Sequence, residues 1–277
     1  MAQNIYDTPE FFTNYSNLLR SQKGLDGAPE WPRLQTFLPG SLQGSRVLDL
    51  GCGFGWYTRW FHEHGAASVH GLDVSQNMLD RAREMTDPET YKGITYLRAD
   101  LDSKDIPLLT DAGDGSVDMV FSSLALHYLV NLQELLAQAY RVLKPGGTFV
   151  FSVEHPIVTA PRVMGMIDVQ IKDPRQAAGE GESEVLQRKI WPLWDYQVEG
   201  LRETNWLGAD GVHKQHRTVT TYINLLLGAG FALTGFDEWC PREGELDGRP
   251  EWVNLREKEM VKPTFLLVRA TKSKGAV

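Results

Sequence analysis

Residues 46–61, RVLDLGCGFGWYTRWF, decide the fold of this chain. A short apolar run ends at three glycines in alternate positions, which favours a tight turn. Aromatic side chains then recur at helical spacing as far as Phe61, and Gly65 supplies a stop. The stretch therefore predicts a strand, a turn and a helix, which form the opening unit of a parallel sheet covered by helices.

The alternation of short apolar runs and amphipathic stretches continues along the chain. Four more strands are predicted from SVHGLDV (68–74), ITYLRAD (94–100), VDMVFSSLALHYL (117–129), where the strand runs into a loop, and TFVFSV (148–153). Ser75 is a good N-cap for a helix after the second strand. After the fourth strand, Asn131 and Glu134 resemble a capping box at the start of another helix. Pro145 and the two glycines that follow it break this helix before the fifth strand.

The remaining segments complete a single α/β domain. A helix is predicted at 218–230, followed by two more strands at 231–239 and 263–271. The segment 156–217 is polar and then rich in aromatic residues without a clear period, which indicates an insertion over the sheet. The first forty residues are rich in aromatic side chains and are predicted to be helical and to pack on the core. The expected parts of the domain 1–277 are an N-terminal helical segment (1–40), the core of the sheet (41–155), the insertion (156–217), and a C-terminal helix with the last two strands (218–277).

Composition excludes several classes of protein. Hydrophobic residues at 42% and charged residues at 23% are ordinary values for a globular protein, so extensive disorder is not expected. A formal net charge of -8 means that the chain has no excess of basic residues to attract the phosphates of nucleic acid. The first residues lack a signal peptide, and no apolar run approaches the length of a membrane span. Cys52 and Cys240 are predicted to be reduced thiols. We expect a soluble cytoplasmic protein, monomeric or homodimeric, that does not contact membranes.

The glycine turn predicts a binding site for a nucleotide-like ligand. Turns of this kind bring backbone N–H groups close to a ligand. The nicotinamide dinucleotide fingerprint G-x-G-x-x-G is incomplete, because Trp56 occupies the place of the third glycine. This departure weakens the prediction of a dehydrogenase. Asp73, at the end of the next strand, lies where ribose hydroxyls are held in related folds.

Four segments in order and spacing resemble the motifs of class I S-adenosylmethionine (SAM)-dependent methyltransferases. They are VLDLGCGFGWYTRWF (47–61), GLDVSQNML (71–79), YLRADL (96–101) and VLKPGGTFVFS (142–152). The resemblance covers roughly 41–155. It implies a Rossmann-like, seven-stranded, mostly parallel sheet with helices on both faces, an N-terminal helical lid and an insertion after strand 5.

The resemblance also implies which residues hold the cofactor. Asp49 and the glycines would surround the methionine portion, Asp73 would bind both ribose hydroxyls, and Asp100 would receive the adenine amine. Leu101 would lie beside the adenine ring. The full set of cofactor-binding candidates is Asp49, Gly51, Cys52, Gly53, Asp73, Val74, Met78, Asp100, Leu101 and Ser122. No metal is required, since the cofactor already carries an activated methyl group, and the expected product is S-adenosylhomocysteine.

Three residues are candidates for catalysis. In this family the loop after the fourth strand faces the methyl group, which places His127 on the acceptor side. His127 is able to remove a proton near neutral pH, but an equally good interpretation is a histidine hydrogen-bonded within its loop. Glu154 and His155, at the end of the fifth strand, occupy the edge where open sheets bind ligands. Either residue is a base or a polar anchor.

Acceptor-binding candidates come from the first segment, the loop and the insertion. They are Tyr15, Arg20, His127, Trp191, Tyr196, Arg202, Trp206 and His216. The aromatic rings suit an aromatic or cationic acceptor, although an insertion with few other apolar residues also needs them for its own core. The basic residues of the insertion allow an acceptor that bears a carboxylate.

The predicted function is methyl transfer to an oxygen, nitrogen or sulfur atom of a small molecule. The fourth strand is followed by Ser122-Ser123-Leu124-Ala125 rather than an Asn-Pro-Pro-Tyr type segment, which removes one subclass that acts on macromolecules. Methyltransferases that act on RNA or protein stay possible, as does a protein that binds SAM or S-adenosylhomocysteine without catalysis.

Overall fold

The computed structural model describes residues 3–106, 113–162, 165–172, 185–241 and 262–274. Its strands are, in chain order, β1 (Arg46–Leu50), β2 (Ser68–Asp73), β3 (Ile94–Arg98), β4 (Val117–Ser123), β5 (Leu143–Glu154), β6 (Ile167–Lys172), β7 (Val185–Ile190), β8 (Gly200–Trp206), β9 (Ala209–His216), β10 (Phe231–Trp239) and β11 (Phe265–Lys272). Seven of these strands form the central sheet, in the order β3-β2-β1-β4-β5-β11-β10.

The central sheet is mostly parallel. Strands β1 to β5 pair in parallel, and β11 lies antiparallel between β5 and β10. The predicted seven-stranded, mostly parallel sheet is confirmed. The order of strands reverses at β1, because β2 pairs on one side of it and β4 on the other. In open sheets of this kind, a crevice for ligands forms at the carboxyl ends of the strands at such a reversal.

Helices cover both faces of the sheet. They are α1 (Pro9–Ser16), α2 (Leu19–Gln22), α3 (Trp31–Gln35), α4 (Trp56–Glu63), α5 (Gln76–Glu84), α6 (Leu132–Val142), α7 (Pro156–Thr159) and α8 (Val219–Gly228). Apolar side chains of α3 and α4 pack with one face of the sheet, and those of α6 and α8 pack with the other. In the parts of the chain that the structure describes, no helix combines the length and the apolar character needed to cross a membrane.

The helix starts agree only in part with the sequence. Ser75 is the N-cap of α5, as predicted, and its hydroxyl accepts a hydrogen bond from Met78 N at 3.1 Å. The capping box predicted for α6 is wrong, because neither Asn131 nor Glu134 caps the helix with its side chain. The carboxylate of Asp102, which follows β3, instead accepts a hydrogen bond from Asn131 N at 2.8 Å. A residue distant in sequence thus replaces the local cap.

The region between β5 and α8 contains regular structure that the sequence did not reveal. Its described residues form α7 and two antiparallel hairpins, β6–β7 and β8–β9. Side chains alternate between more and less buried along β9, a period of two that the sequence does not show because the buried positions include Lys214 and His216. The first forty residues are largely helical, as expected, and precede β1.

Candidate functional site

The turn after β1 is held by the end of β2. Gly51 N and Cys52 N both donate to Leu72 O, at 2.7 and 3.0 Å. Gly51 and Gly53 have φ angles of 75° and 52°, in the left-handed region that favours glycine. A Cβ at Gly51 would lie 2.4 Å from the Cβ of Ala125 in the loop after β4. Gly51 therefore allows two strand-end loops to approach each other closely.

Gly53 meets a different environment. A Cβ built there would have, among the described residues beyond its two chain neighbours, only the hydroxyl of Tyr15 within 4 Å, at 3.9 Å. The backbone at this position thus borders open space, and a side chain would enter that space. Such a cradle is expected where a ligand contacts the main chain directly.

Asp73, at the end of β2, joins the turn to helix α5. Its Oδ2 accepts a hydrogen bond from Gly53 N at 2.8 Å, and its Oδ1 accepts one from Ser75 N at 2.9 Å. Burial raises the pKa of Asp73, while these two hydrogen bonds oppose the rise. A carboxylate has about four lone-pair sites, so acceptor capacity is left for the hydroxyls of a ligand.

Two predicted cofactor residues lie beneath the turn and do not line the cavity. Asp49 accepts a hydrogen bond from Thr58 Oγ1 at 2.6 Å, and burial raises its pKa to about 7. Its Oδ1 is buried and has no partner among the described residues. Ser122 donates to Leu50 O at 2.7 Å and so ties β4 to β1. Both residues support the turn from within the sheet.

A cavity of about 540 Å³ opens at the carboxyl ends of the parallel strands. The predicted cofactor residues that line it are Gly51, Cys52, Gly53, Asp73, Val74, Met78, Asp100 and Leu101. The predicted acceptor or catalytic residues that line it are Tyr15, Arg20, His127, Glu154 and Trp206. The structure thus brings together, around one space, residues from the N-terminal segment, the ends of the five strands β1 to β5 and the β8–β9 hairpin.

The other acceptor candidates of the insertion are not brought to this cavity. Trp191 Nε1 donates to Ile157 O at 2.8 Å. His216 is bonded through Nε2 to the carbonyl of Tyr196 at 2.9 Å. Arg202 donates to backbone carbonyls, including that of Ala160 at 3.0 Å. Trp191 and Arg202 thus join α7 and the residue after it to the rest of the insertion, and His216 adds a bond from its Nδ1 to Thr159 Oγ1 of α7 at 2.8 Å. This is the structural use that the sequence left open.

His155 also lies away from the cavity. Its Nε2 is 2.9 Å from Glu238 Oε1, and its Nδ1 accepts a hydrogen bond from Ile157 N at 3.1 Å. His155 thereby caps α7 and links β5 to β10. Both ring nitrogens are engaged, so the ring serves as a polar anchor in this structure.

The N-terminal segment forms a wall of the cavity. Tyr6 Oη donates to Tyr128 Oη at 3.1 Å, and Arg20 makes a bidentate ion pair with Glu30 at 3.1 and 3.2 Å. Glu30 is fully buried. Tyr6, Tyr128 and Glu30 are not among the site residues predicted from the sequence, because the burial of Glu30 and the meeting of the two tyrosines depend on packing between distant segments.

The far end of the cavity contains an ion pair that the sequence did not predict. Lys214 Nζ, on β9, is 2.7 Å from Glu154 Oε1, and the Lys214 side chain is 3% exposed. The ammonium group also lies 5.2 Å from the centre of the Trp206 ring. The inward position of Lys214 follows from the alternation of burial along β9, which the sequence does not show because the inward side chains include polar ones.

The residues around the turn fit SAM. The cradle at Gly53 admits a ligand to the main chain, Asp73 keeps acceptor capacity for ribose hydroxyls, and Asp100 lines the same cavity at the end of β3. A volume of about 540 Å³ lies within the usual range for small-ligand sites.

Comparison with known proteins agrees with this geometry. Residues 48–151 match the family described as methyltransferase domain. The crystal structure of a SAM-dependent methyltransferase from Mesorhizobium loti is 44% identical, with a TM-score of 0.73, and covers 90% of this chain and 100% of that chain. A putative SAM-dependent methyltransferase from Listeria monocytogenes is 36% identical, with a TM-score of 0.66, over 89% and 99% of the two chains.

A more local similarity is found to a malonyl-[acyl-carrier protein] O-methyltransferase from Serratia marcescens. It is 36% identical over 40% of this chain and 39% of that protein. The similarity to the Mesorhizobium loti enzyme, in contrast, extends over nearly the whole chain. The protein therefore belongs to the SAM-dependent methyltransferase family and is an enzyme that uses SAM as its cofactor.

Proposed function

We propose that the enzyme methylates an oxygen, nitrogen or sulfur atom of a small molecule. The observation that carries this proposal is the way two distant segments meet over the cavity. Asn14 Nδ2 donates to Leu207 O at 2.9 Å, and the rings of Phe11 and Trp206 are 5.4 Å apart. Cofactor and acceptor would share the cavity beside these contacts, which limit its width and so favour a small acceptor over a large one.

The protein residues divide into two groups along this space. Asp73, Gly53 and Asp100 would hold SAM at one end, while His127 and Glu154 border the other end. When bound, SAM supplies a methyl group that is already activated as part of a sulfonium. The chain then has to align the acceptor with that methyl group and exclude water, and alignment is worth up to roughly 7–11 kcal/mol in favourable cases.

Charge and cysteine state support the cellular setting that we propose. A net charge of -8 opposes binding to nucleic acid. Cys52 and Cys240 are free thiols, as expected in a reducing compartment. We therefore propose a cytoplasmic enzyme, monomeric or homodimeric, that does not require nucleic acid. The Serratia marcescens protein, by its name, methylates an acyl group on a carrier protein, so a carrier-bound acceptor is an alternative to be tested.

The experiment has a binding part and a transfer part. Ligand-free protein is titrated with SAM by calorimetry and is then incubated with radiolabelled SAM and separate small-molecule, RNA and protein fractions of a cell extract. We expect label in the small-molecule fraction. Label only in RNA or protein would contradict the proposal, and SAM binding without transfer to any fraction would indicate a non-catalytic protein.

A pair of variants links the assay to the cavity. Asp73→Ala is expected to weaken SAM binding by about 1.5–3 kcal/mol, the usual worth of hydrogen bonds that involve a charge. Asp168→Ala, which removes an exposed carboxylate on β6, is expected to leave SAM binding unchanged. Equal affinities in the two variants would remove Asp73 from the site.

A further inference from the structure

His127 presents a hydrogen-bond donor at the acceptor end. Its Nδ1 accepts a hydrogen bond from Glu154 N at 3.4 Å, so the ring proton is on Nε2. Burial, together with the charges of Lys214 and Arg217, lowers the pKa of His127 to about 4 despite the attraction of Glu154, so the ring is neutral at pH 7. Nε2 has no protein partner among the described residues, and the ring lines the cavity. In this state His127 donates a hydrogen bond through Nε2, whereas the sequence predicted that it could remove a proton from the acceptor.

Glu154 presents a hydrogen-bond acceptor beside it. Burial acts to raise the pKa of Glu154, but the neighbouring charge of Lys214 outweighs it and holds the pKa below its usual value. The carboxylate is therefore ionised and has no proton to donate. One oxygen is held by Lys214, whereas Oε2 is buried without a partner in the described part of the chain. The protein thus leaves acceptor capacity of this carboxylate unused.

Among the described residues, the cations near this end do not offer an equivalent donor. Lys214 lies behind Glu154 and is not among the residues that line the cavity. Arg217 is also outside the lining and donates to the carbonyls of Leu129 and Val130. Lys262, 4.7 Å from the centre of the Trp191 ring, likewise does not border the cavity.

Arg20 does line the cavity, but its charge is already balanced. Both of its terminal nitrogens bind the two carboxylate oxygens of Glu30. A carboxylate ligand would have to compete with this bidentate pair. Among the charged and imidazole groups of the described residues, a ligand at the acceptor end therefore meets one neutral donor, on His127, and one ionised acceptor, on Glu154. The hydroxyls of Tyr128 and Thr264, which also line the cavity, are able to donate and to accept.

We infer that the acceptor binds this end of the cavity through a hydroxyl or an uncharged amine, which accepts from His127 Nε2 and donates to Glu154. The inference rests on the proposed function and narrows its substrate class. A carboxylate is only an acceptor and would face the Glu154 anion, while an ammonium group is only a donor and would leave His127 without a partner. Hydroxyl and amine groups satisfy both protein groups at once.

The test measures binding to protein saturated with S-adenosylhomocysteine, so it does not depend on turnover. Phenol, aniline and benzoate are matched in size and, at pH 7, carry a hydroxyl, an uncharged amine and a carboxylate. Their dissociation constants are measured by ligand-observed NMR titration. We expect phenol or aniline, or both, to bind at least about 10-fold more tightly than benzoate. Tighter binding of benzoate, or binding of neither phenol nor aniline, would overturn the inference.

Variants then assign the preference to Glu154. Glu154→Gln is expected to shift the ratio of the phenol and benzoate constants by about 10-fold towards benzoate. The double variant Glu154→Gln with Lys214→Met should show the same shift without leaving an unpaired buried ammonium. Glu203→Gln, which neutralises an exposed carboxylate on β8, is the control and should retain the original ratio. An unchanged ratio in both Glu154 variants would also refute the inference.

The same experiment separates two kinds of failure. If S-adenosylhomocysteine does not bind the unaltered protein, the proposed function fails at its first step. If it binds and the three probes show no preference for hydroxyl or amine, only the inferred acceptor class fails.

Discussion

Gly51 and Gly53 share a left-handed backbone in one turn but face different surroundings. Alanine at either position would incur strain of roughly 1–2 kcal/mol. In Gly51→Ala the new methyl group would also collide with Ala125, so we expect a marked fall in the midpoint of thermal unfolding. In Gly53→Ala it would enter the cavity, so we expect SAM affinity to fall at least about 10-fold with a smaller loss of stability. Calorimetric titration and thermal unfolding of both variants check this; unchanged SAM binding by Gly53→Ala would contradict it.

The buried ring of His127 predicts a pH dependence. Its folded pKa, near 4, lies below the ordinary histidine value of about 6.5. As the pH falls from about 6.5 to 4, the unfolded chain binds this proton first, so the free energy of unfolding decreases over that window. Nitrogen chemical shifts of the His127 ring should remain those of the neutral Nε2–H form down to about pH 5. A midpoint near 6.5 would contradict the burial of the ring.

At the scale of elements, Asp7 fastens the N-terminal segment to the start of α5. Its carboxylate accepts hydrogen bonds from Ser75 Oγ at 2.6 Å and from Asn77 N at 3.1 Å. Burial acts to raise the pKa of Asp7, but these hydrogen bonds lower it overall. The contribution of Asp7 to stability is therefore complete above the ordinary aspartate pKa of about 4 and is lost as the pH falls through the lower folded value.

Removing this attachment should loosen the wall of the cavity. In Asp7→Ala, we expect faster amide hydrogen exchange in α1 and faster dissociation of S-adenosylhomocysteine, because the segment that borders the cavity is no longer tied to α5. Loss of a cap of this kind costs about 0.5–2 kcal/mol. Glu10→Ala, which removes an exposed carboxylate on α1, is the control. Equal exchange rates in the two variants would show that Asp7 does not hold the segment.

The β8–β9 hairpin is joined to the end of β5 by the pair of Lys214 and Glu154. Lys214→Met leaves a largely buried carboxylate without its cation, which costs about 3–5 kcal/mol in comparable pairs. The double variant with Glu154→Gln removes both charges and should recover much of that loss. Urea unfolding of the two single variants, the double variant and the unaltered protein gives the coupling energy. A double variant no more stable than Lys214→Met would contradict a direct pairing.

At the scale of the whole molecule, one cavity is built from three distant parts of the chain. Ligand at 100 times its dissociation constant should stabilise the protein by about 2.7 kcal/mol. Because the N-terminal segment, the strand ends and the β8–β9 hairpin all line the cavity, S-adenosylhomocysteine should slow hydrogen exchange in all three. Mass spectrometry of exchanged peptides measures this. Protection confined to 46–101 would mean that the walls do not close on the cofactor.

Local sequence was sufficient to predict the sheet and the cofactor end. Each strand and the turn at Gly51 are encoded within a few neighbouring residues, by apolar runs, glycines and periodicity. The prediction of helix starts failed where a residue distant in sequence made the hydrogen bond that a local pattern predicted. At Asn131, the carboxylate of Asp102 takes the place of the predicted capping box. The strand β9 of the insertion has no matching hydrophobic period, because its inward positions carry the polar side chains of Lys214 and His216 as well as Val212.

The sequence by itself determined the class of fold, the cofactor and the strand ends that line the cavity, since these depend on short, contiguous motifs. Only the tertiary structure decided the acceptor end. Lys214 meets Glu154 across 60 residues of chain, and Arg20 finds a buried partner in Glu30. The tertiary structure also placed Trp206 in the wall of the cavity and Trp191 outside the cavity, although both lie in the insertion. Side chains far apart in sequence meet only when the sheet and the insertion pack, so no local pattern records which of them face the ligand.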